Sequence, residues 1–460
     1  MKQAASLLLL NYFRVLARLQ LRKNKPLVIG VTGSAGKTTV MYAIAAILKE
    51  NYQVKVSEKA NSQSGLSLNI LGLNPRSFSW LDWLRLAIVA PVKLLTNWEK
   101  FQVYVAEMGI DSPDEPANMS YLLKIVKPQI GVFTSVTLVH AQAFDHLVSE
   151  RDVKKRALAL RTAIAREKAK IITTLPSSGT AVFNSDDSII MQVCASTKAP
   201  SITFGSSANA AIRLMTTVWK DGGTTFTLKQ GKNEAKIELK KYLLPEHYGL
   251  SFASAAAVGV ALGISLKKSA QAISTNFVLP PGRATLIPAI NKATILDSSY
   301  NSAPAPLLDF FDLLAQLKLR RTGTNAFPGR VLAILGDMRE LGKLSGYEHT
   351  RVAKHAVEVL DAVYLVGPEM REHAMPIIKK ASIPVFWFAS AGQAATQLKK
   401  DLLEDDLLLV KSSQNTLLLE IAIEQLMARP SDAPSTLCRR SSFWDRERVR
   451  LSNQKIERIE

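Results

Sequence analysis

Cysteine is nearly absent: Cys194 and Cys438 are the only two among 460 residues. That excludes a disulfide scaffold and points to a reducing compartment. No apolar run approaches the roughly 20 residues a membrane-spanning helix needs. Acidic side chains are scarce, 39 against 58 Lys plus Arg, which leaves a formal net charge of +19. No zinc-finger spacing, helix-turn-helix or aromatic RNA-binding motif accompanies that charge. Nucleic acid is therefore not an expected partner, and a nucleotide-dependent nucleic-acid binder stands only as the alternative from another class. What remains is a handler of anionic substrates or surfaces. With 47% hydrophobic and 21% charged residues the chain is of ordinary globular type.

The strongest local signal lies near the start. The apolar run Leu27–Val31 reads as a strand and is followed by Thr32-Gly33-Ser34-Ala35-Gly36-Lys37-Thr38-Thr39, after which a helical pattern begins with Met41, Ile44 and Leu48. Strand, glycine loop and helix in that order make a phosphate cradle: glycines turn backbone N–H groups towards phosphate oxygens, and the helix dipole adds to them. Lys37 is suited to the β/γ-phosphates and the Thr38 hydroxyl to Mg²⁺. Val103–Gly109 reads as an apolar strand whose end carries Glu107, a carboxylate of the kind Mg²⁺ takes beside phosphates.

Other segments set the organisation. Residues 4–21 read as a helix with a wide apolar face and a stripe of Asn11, Arg14 and Arg18, either packed on the first domain or lying at a membrane interface. Trp80–Leu95 either extends an apolar surface or forms a buried helix. Residues 211–241 read as short strands around an Asp221-Gly222-Gly223 turn, studded with solvated lysines. Pro280-Pro281-Gly282-Arg283 reads as a rigid linker. Beyond it, strands near residues 293–296, 331–335, 362–366 and 407–410 alternate with helices, the pattern of a parallel α/β sheet. From Arg429 the chain reads as a flexible basic extension, with a short helix and anchoring by Trp444 as the alternative.

The loop Thr32–Thr39 resembles the ATP loop of the Mur ligase family, which has the same displaced first glycine, and further segments fit in order over roughly residues 27 to 425. The resemblance implies an α/β fold: a P-loop ATPase-type central domain with a mainly parallel sheet, then a Rossmann-like α/β C-terminal domain. It implies ATP and Mg²⁺, with Thr38 and Glu107 on one metal. His140 and a carbamate formed on Lys168 would hold a second metal. Lys37, Lys168 and His140 are thus the implied catalytic set. Asn184 in Asn184-Ser185-Asp186-Asp187 and Arg283 at the hinge are implied nucleotide contacts. Asp297, in Asp297-Ser298-Ser299-Tyr300-Asn301, joins them. That segment and Gly336–Gly342 resemble loops of the branch that adds D-alanyl-D-alanine to the peptidoglycan stem peptide.

Departures accompany the match. Tyr248 and Ser251 stand where the family has asparagines, Ser298 replaces a second aspartate, and Val410-Lys411-Ser412-Ser413-Gln414 lacks the usual glycine and arginine. Only about 27 residues precede the loop, so the branch's usual amino-terminal UDP-binding domain is expected to be missing. The expected organisation is therefore a basic amphipathic helix (1–25), an ATP-binding domain (26–283), a C-terminal domain (284–428) and a basic tail (429–460). The expected function is an ATP-dependent amide ligase of peptidoglycan precursor synthesis, acting on small molecules: ATP, a muramyl peptide and a dipeptide amine. A family ligase for another polymer, of folyl or cyanophycin type, is the alternative within the class, and a weakened scaffold a third. The expected location is cytoplasmic, with peripheral contact at the inner membrane face through residues 4–21 left open, as is the oligomeric state.

Overall fold

The computed structural model describes residues 2–453 apart from residues 59, 78, 97–98, 221, 320–328 and 414. Asp221 of the expected turn and Gln414 of the 410–414 segment lie outside the described residues. The chain divides into two compact units. The first comprises Met1–Thr217, Phe226–Ile237 and Tyr248–Val278; the second comprises Val218–Thr225, Glu238–His247 and Leu279–Glu460.

The first unit is built on β1 (Leu27–Thr32), β2 (Val54–Val56), β3 (Val103–Glu107), β4 (Ile130–Phe133), β5 (Thr180–Asn184) and β6 (Ser201–Gly205). β7 (Ile212–Lys220), β8 (Gly223–Gln230) and β9 (Asn233–Leu239) continue the sheet, whose order is β2-β3-β1-β4-β5-β6-β7-β8-β9. The pairs from β2 to β7 are parallel. Strands β1, β3 and β4 are buried almost throughout, which is why they read as continuous apolar runs rather than alternating ones. Connections leave β1 towards the β2 edge and β4 towards the β5 edge. The loops after β1 and β4 thus flank the crevice at the carboxyl ends of the strands, where open α/β sheets bind ligands.

The amino-terminal Lys2–Asn24 helix packs through Phe13 and Ala17, both fully buried. The Trp80–Thr96 helix buries Leu86, Ala90 and Leu94 but leaves Trp80, Leu84, Ile88 and Leu95 exposed. The buried-helix alternative for that stretch is thereby overturned.

The second unit holds β10 (Thr285–Pro288), β11 (Thr294–Asp297), β12 (Val331–Gly336), β13 (Ala362–Val366), β14 (Val385–Phe388) and β15 (Leu407–Lys411), in the order β10-β11-β15-β12-β13-β14. All pairs are parallel except β10 with β11. One core joins Ile295, Leu332, Ile334, Leu408 and Val410 to helix residues Ala394, Leu398 and Ile423. In the basic extension the structure favours the short-helix alternative over a flexible tail. Ala433, Leu437 and Cys438 are buried, and a helix runs over Ser442–Asn453. The cause is the apolar spacing of Ala433, Leu437 and Cys438, which docks the segment on the core before the arginines begin.

Candidate active site

β1 ends at Thr32, whose hydroxyl donates to the Met108 carbonyl at 2.8 Å and so ties the loop's root to the end of β3. The loop leans on the segment after β4. The Ser34 N–H donates to the Ser135 carbonyl at 2.8 Å and the Ala35 N–H to the Ser135 hydroxyl at 3.0 Å. The Thr134 hydroxyl donates to the Ala35 carbonyl at 2.7 Å. Two positions require glycine. A Cβ on Gly33 would lie 1.9 Å from Thr134 Oγ1, and Gly36 has a left-handed backbone (φ 79°) with Ser251 Oγ 2.8 Å from where its Cβ would be. No side chain caps the Lys37–Leu48 helix, so its first turn faces the loop as an anion-binding terminus does. Thr39 is buried behind the loop.

Four functional groups converge on this frame. Lys37 curls back so that its Nζ donates to the Gly33 carbonyl at 2.9 Å. Lys168, from the Val153–Thr173 helix, donates to the same carbonyl at 3.2 Å. Thr38 donates its hydroxyl to Glu107 Oε2 at 2.7 Å, and Asn61 Nδ2 holds Oε1 at 3.3 Å. Ser57 Oγ accepts the Glu107 N–H at 2.7 Å, fixing the carboxylate from the backbone side.

Lys168 is only 1% exposed, which overturns the alternative of a solvated charged helix face. Burial, and then the nearby Lys37 charge, hold its amine well below the usual lysine range, against the opposing pull of Asp111, Glu107 and Glu167. A neutral amine is the form that reacts with CO₂.

His140 sits in a left-handed conformation (φ 64°) after β4, and its Nε2 lies 3.7 Å from Asp111 Oδ1. Asp111, whose charge also acts on the Lys168 amine, links His140 to the cluster. Asn184, at the end of β5, donates to the Thr134 carbonyl at 3.4 Å and accepts the Asp186 N–H at 2.8 Å. Tyr248 and Ser251 are both buried, the latter against Gly36. Asp111 and Asn61 escaped the sequence reading because nothing in their own neighbourhoods marks them; only the folded β3 end brings them to Glu107 and His140.

The donor set can be tested against Mg²⁺. Among the described residues no group of three or more His, Cys, Asp or Glu could hold a metal by itself. The Thr38 hydroxyl and Glu107 carboxylate are hard oxygen donors in mutual contact, the partial set Mg²⁺ takes when phosphates and water complete its shell. The residues fit a cation shared with a nucleotide.

In the second unit the loops after β11, β12 and β15 adjoin, since these strands are neighbours. Asp297 is fully buried. Its Oδ1 accepts the Ser299 N–H at 2.9 Å, while Oδ2 has no partner among the described residues. Burial pushes its carboxyl up to about 6. Lys411 donates to Ser298 Oγ at 3.2 Å and to the Asn301 carbonyl at 2.9 Å; burial, then the Arg283 charge, brings its amine down to about 7. The Arg283 guanidinium lies 4.4 Å from the Tyr300 ring centroid. Arg439 lies 5.2 Å from the same ring, donates to the Tyr300 carbonyl at 2.5 Å and pairs with buried Glu420 at 3.3 Å. Sequence reading missed Arg439, because a basic run in a tail looks the same whether docked or solvated.

Comparison with known proteins adds the following. Residues 31–259 match the Mur ligase middle domain, and residues 282–414 match the glutamate ligase domain of Mur ligases. The chain is 25% identical over 427 residues to the UDP-N-acetylmuramoyl-tripeptide–D-alanyl-D-alanine ligase of Bacillus subtilis, covering 92% of this chain and 80% of that protein. It is 26% identical over 407 residues to the Synechocystis ligase of the same name, covering 87% and 74%. The structure of the MurF ligase from Thermotoga maritima, in complex with ADP, superposes with a TM-score of 0.71 at 23% identity, covering 90% of this chain and 83% of that one. The last likeness speaks to the fold.

Proposed function

The chain belongs to the Mur ligase family, and from that premise we propose that it is an ATP-dependent, ADP-forming ligase of peptidoglycan precursor synthesis. It joins D-alanyl-D-alanine to a muramyl tripeptide. The observation that carries the proposal is the cluster at the carboxyl ends of β1 and β3, where Lys37 and Lys168 share the Gly33 carbonyl and Thr38 meets Glu107. The amine specificity rests on the named relatives and on the Asp297–Asn301 and Gly336–Gly342 loops. We assign residues 26–283 to ATP binding and 284–428 to the amine side. Residues 1–25 and 429–460 flank them.

In the first step a carboxylate oxygen of the tripeptide attacks the γ-phosphorus, the bond to the bridging oxygen breaks, and ADP leaves. In the second the dipeptide amine adds to the carbonyl carbon of the acyl phosphate. Inorganic phosphate departs, and the amine loses its proton. Phosphoryl transfer of this kind asks the protein for positioning and charge neutralisation. The backbone of Gly33–Gly36 and the Lys37–Thr39 helix start grip the phosphates, and Lys37 exchanges its Gly33 contact for a phosphate oxygen. The neutral Lys168 amine takes up CO₂ and releases a proton, giving a carbamate whose negative charge lies beside Lys37. Thr38 and Glu107 would hold one Mg²⁺, and His140 with carbamylated Lys168 a second. Bound there, Mg²⁺ supplies charge neutralisation at the phosphate oxygens. Asn184, which keeps the β4 and β5 ends in register, Arg283 and Asp297 are the remaining proposed nucleotide contacts.

The enzyme is proposed to work in the cytoplasm, with peripheral membrane contact through residues 4–21. ADP release assayed with UDP-linked muramyl tripeptide and D-alanyl-D-alanine tests the assignment. Turnover requiring both substrates supports it; turnover with folyl or cyanophycin-type acceptors instead would reassign the substrate.

A further inference from the structure

The Lys2–Asn24 and Trp80–Thr96 helices lie against each other. The Phe13 and Trp83 rings are 6.0 Å apart, the Tyr12 hydroxyl donates to the Ala87 carbonyl at 2.8 Å, and Lys23 Nζ donates to the Leu94 carbonyl at 2.6 Å. Each helix turns one apolar face inwards and a second one outwards. On the first helix the outward stripe is Leu8, Val15 and Leu19; on the second it is Leu84, Ile88 and Leu95, the last 77% exposed. These spacings of four and seven put each set on a single line along its helix. Trp80, 73% exposed, stands at the start of the second stripe. Apolar side chains scattered singly need no explanation, but an exposed apolar stripe on each of two helices packed together points to an interaction surface.

Charge says what covers it. The first helix carries Arg14, Arg18, Arg22 and Lys23 and no acidic residue. The second carries Arg85, Lys93 and one acid, Asp82, which is buried and bound by Arg85 at 2.7 Å. A second copy of this face would bring cation against cation. An anionic surface is complementary, and an apolar face flanked by cations with a tryptophan at its end is the composition of helices that lie in a bilayer interface. Among the described residues no helix is long and apolar enough to cross a membrane, so the helices would lie in the plane.

We propose that the paired outward faces of these two helices form a docking surface for an anionic lipid bilayer. The inference rests on the peripheral-contact part of the proposed function and not on its ligase chemistry. The surface seats the catalytic unit at the membrane through apolar insertion and through attraction of Arg18 and Arg22 to lipid headgroups.

The test is co-sedimentation of the full chain with phosphatidylcholine vesicles, with and without phosphatidylglycerol, at low and high salt, with Trp fluorescence in parallel. Expected are binding at least about tenfold stronger to the anionic vesicles, weakening by salt, and a blue shift of the emission. Leu84→Asp with Ile88→Asp, on the outward face, should abolish binding with unchanged Tm and unchanged ATP turnover. Arg18→Glu with Arg22→Glu should remove the preference for anionic lipid. A folded chain that binds neither vesicle, or both equally, overturns the proposal. So does a dimer in analytical ultracentrifugation that the Leu84→Asp/Ile88→Asp pair dissociates, which would give the face to a second copy. Vesicle binding without ligase turnover would refute the ligase reading and leave this one standing.

Discussion

The Nζ of Lys168, a side chain only 1% exposed, lies 3.2 Å from the carbonyl oxygen of Gly33. A buried lysine is expensive to keep charged, and the second cation, Lys37, on the same carbonyl makes it more so. The arrangement favours a neutral amine ready to become a carbamate. Lys168→Ala and Lys168→Arg should therefore both lower turnover by about 10²–10³-fold, the scale of losing one preorganised electrostatic group. Arginine cannot form the carbamate and so should not rescue. Turnover of the unsubstituted chain should fall in CO₂-depleted buffer and return with bicarbonate.

The Thr38–Glu107 contact makes a separate prediction. Glu107→Gln keeps the hydrogen bond from Thr38 but removes the charge, so the Mg²⁺ concentration for half-maximal turnover should rise by about tenfold or more. Thr38→Ala should act in the same direction, and chelation with EDTA should abolish turnover. Circular dichroism should show both variants folded, since neither residue holds up the core.

Asp297 gives a pH dependence of stability. Its carboxyl is raised from an ordinary 3.8 to about 6 by burial. A folded-state value above the unfolded one means that the protonated form favours the fold. The contribution is fully present below about 3.8 and is lost as pH rises through about 6. At pH 7.5, Asp297→Asn should stabilise the chain by about 2 kcal/mol, and the gain should shrink as pH falls through about 6 and vanish only below about pH 3.8. Thermal melts across that range check it. Activity should fall in the same variant, as expected where a costly buried charge is kept for function.

Arg439 and Glu420 are both buried and bonded to each other. Arg439→Met alone strands a carboxylate and should cost about 3–5 kcal/mol, whereas Arg439→Met with Glu420→Leu should recover most of it. Denaturant titration of the two variants measures the difference. A docked tail predicts this pattern; a loose one predicts no effect from either.

Much of the site was legible in sequence because its signals are local. An apolar strand, a glycine loop and a helix start occupy one continuous stretch, and Glu107 announces itself at the end of a buried strand. Lys168 was legible only by resemblance. Its neighbours Arg166 and Lys170 suggest a wet surface, and nothing local says that the helix turns Lys168 inwards. Asp111, Asn61 and Arg439 act across the fold through contacts made by distant segments, so no window of sequence contains their partners. The second sheet was legible as alternating strands and helices, but the edge strands Val54–Val56 and Val385–Phe388 were not, since short partly exposed runs lack the continuous apolar signature.

The central claim is that the cluster around Gly33 drives ATP-dependent joining of D-alanyl-D-alanine to a muramyl tripeptide. The most direct measurement is mass-spectrometric detection of the amide product and of ADP in one reaction with ATP, Mg²⁺, bicarbonate, UDP-linked muramyl tripeptide and the dipeptide. Our account predicts one ADP per pentapeptide formed, with both lost in Lys37→Ala. ADP release without pentapeptide, or pentapeptide formation undiminished in Lys37→Ala, would contradict it.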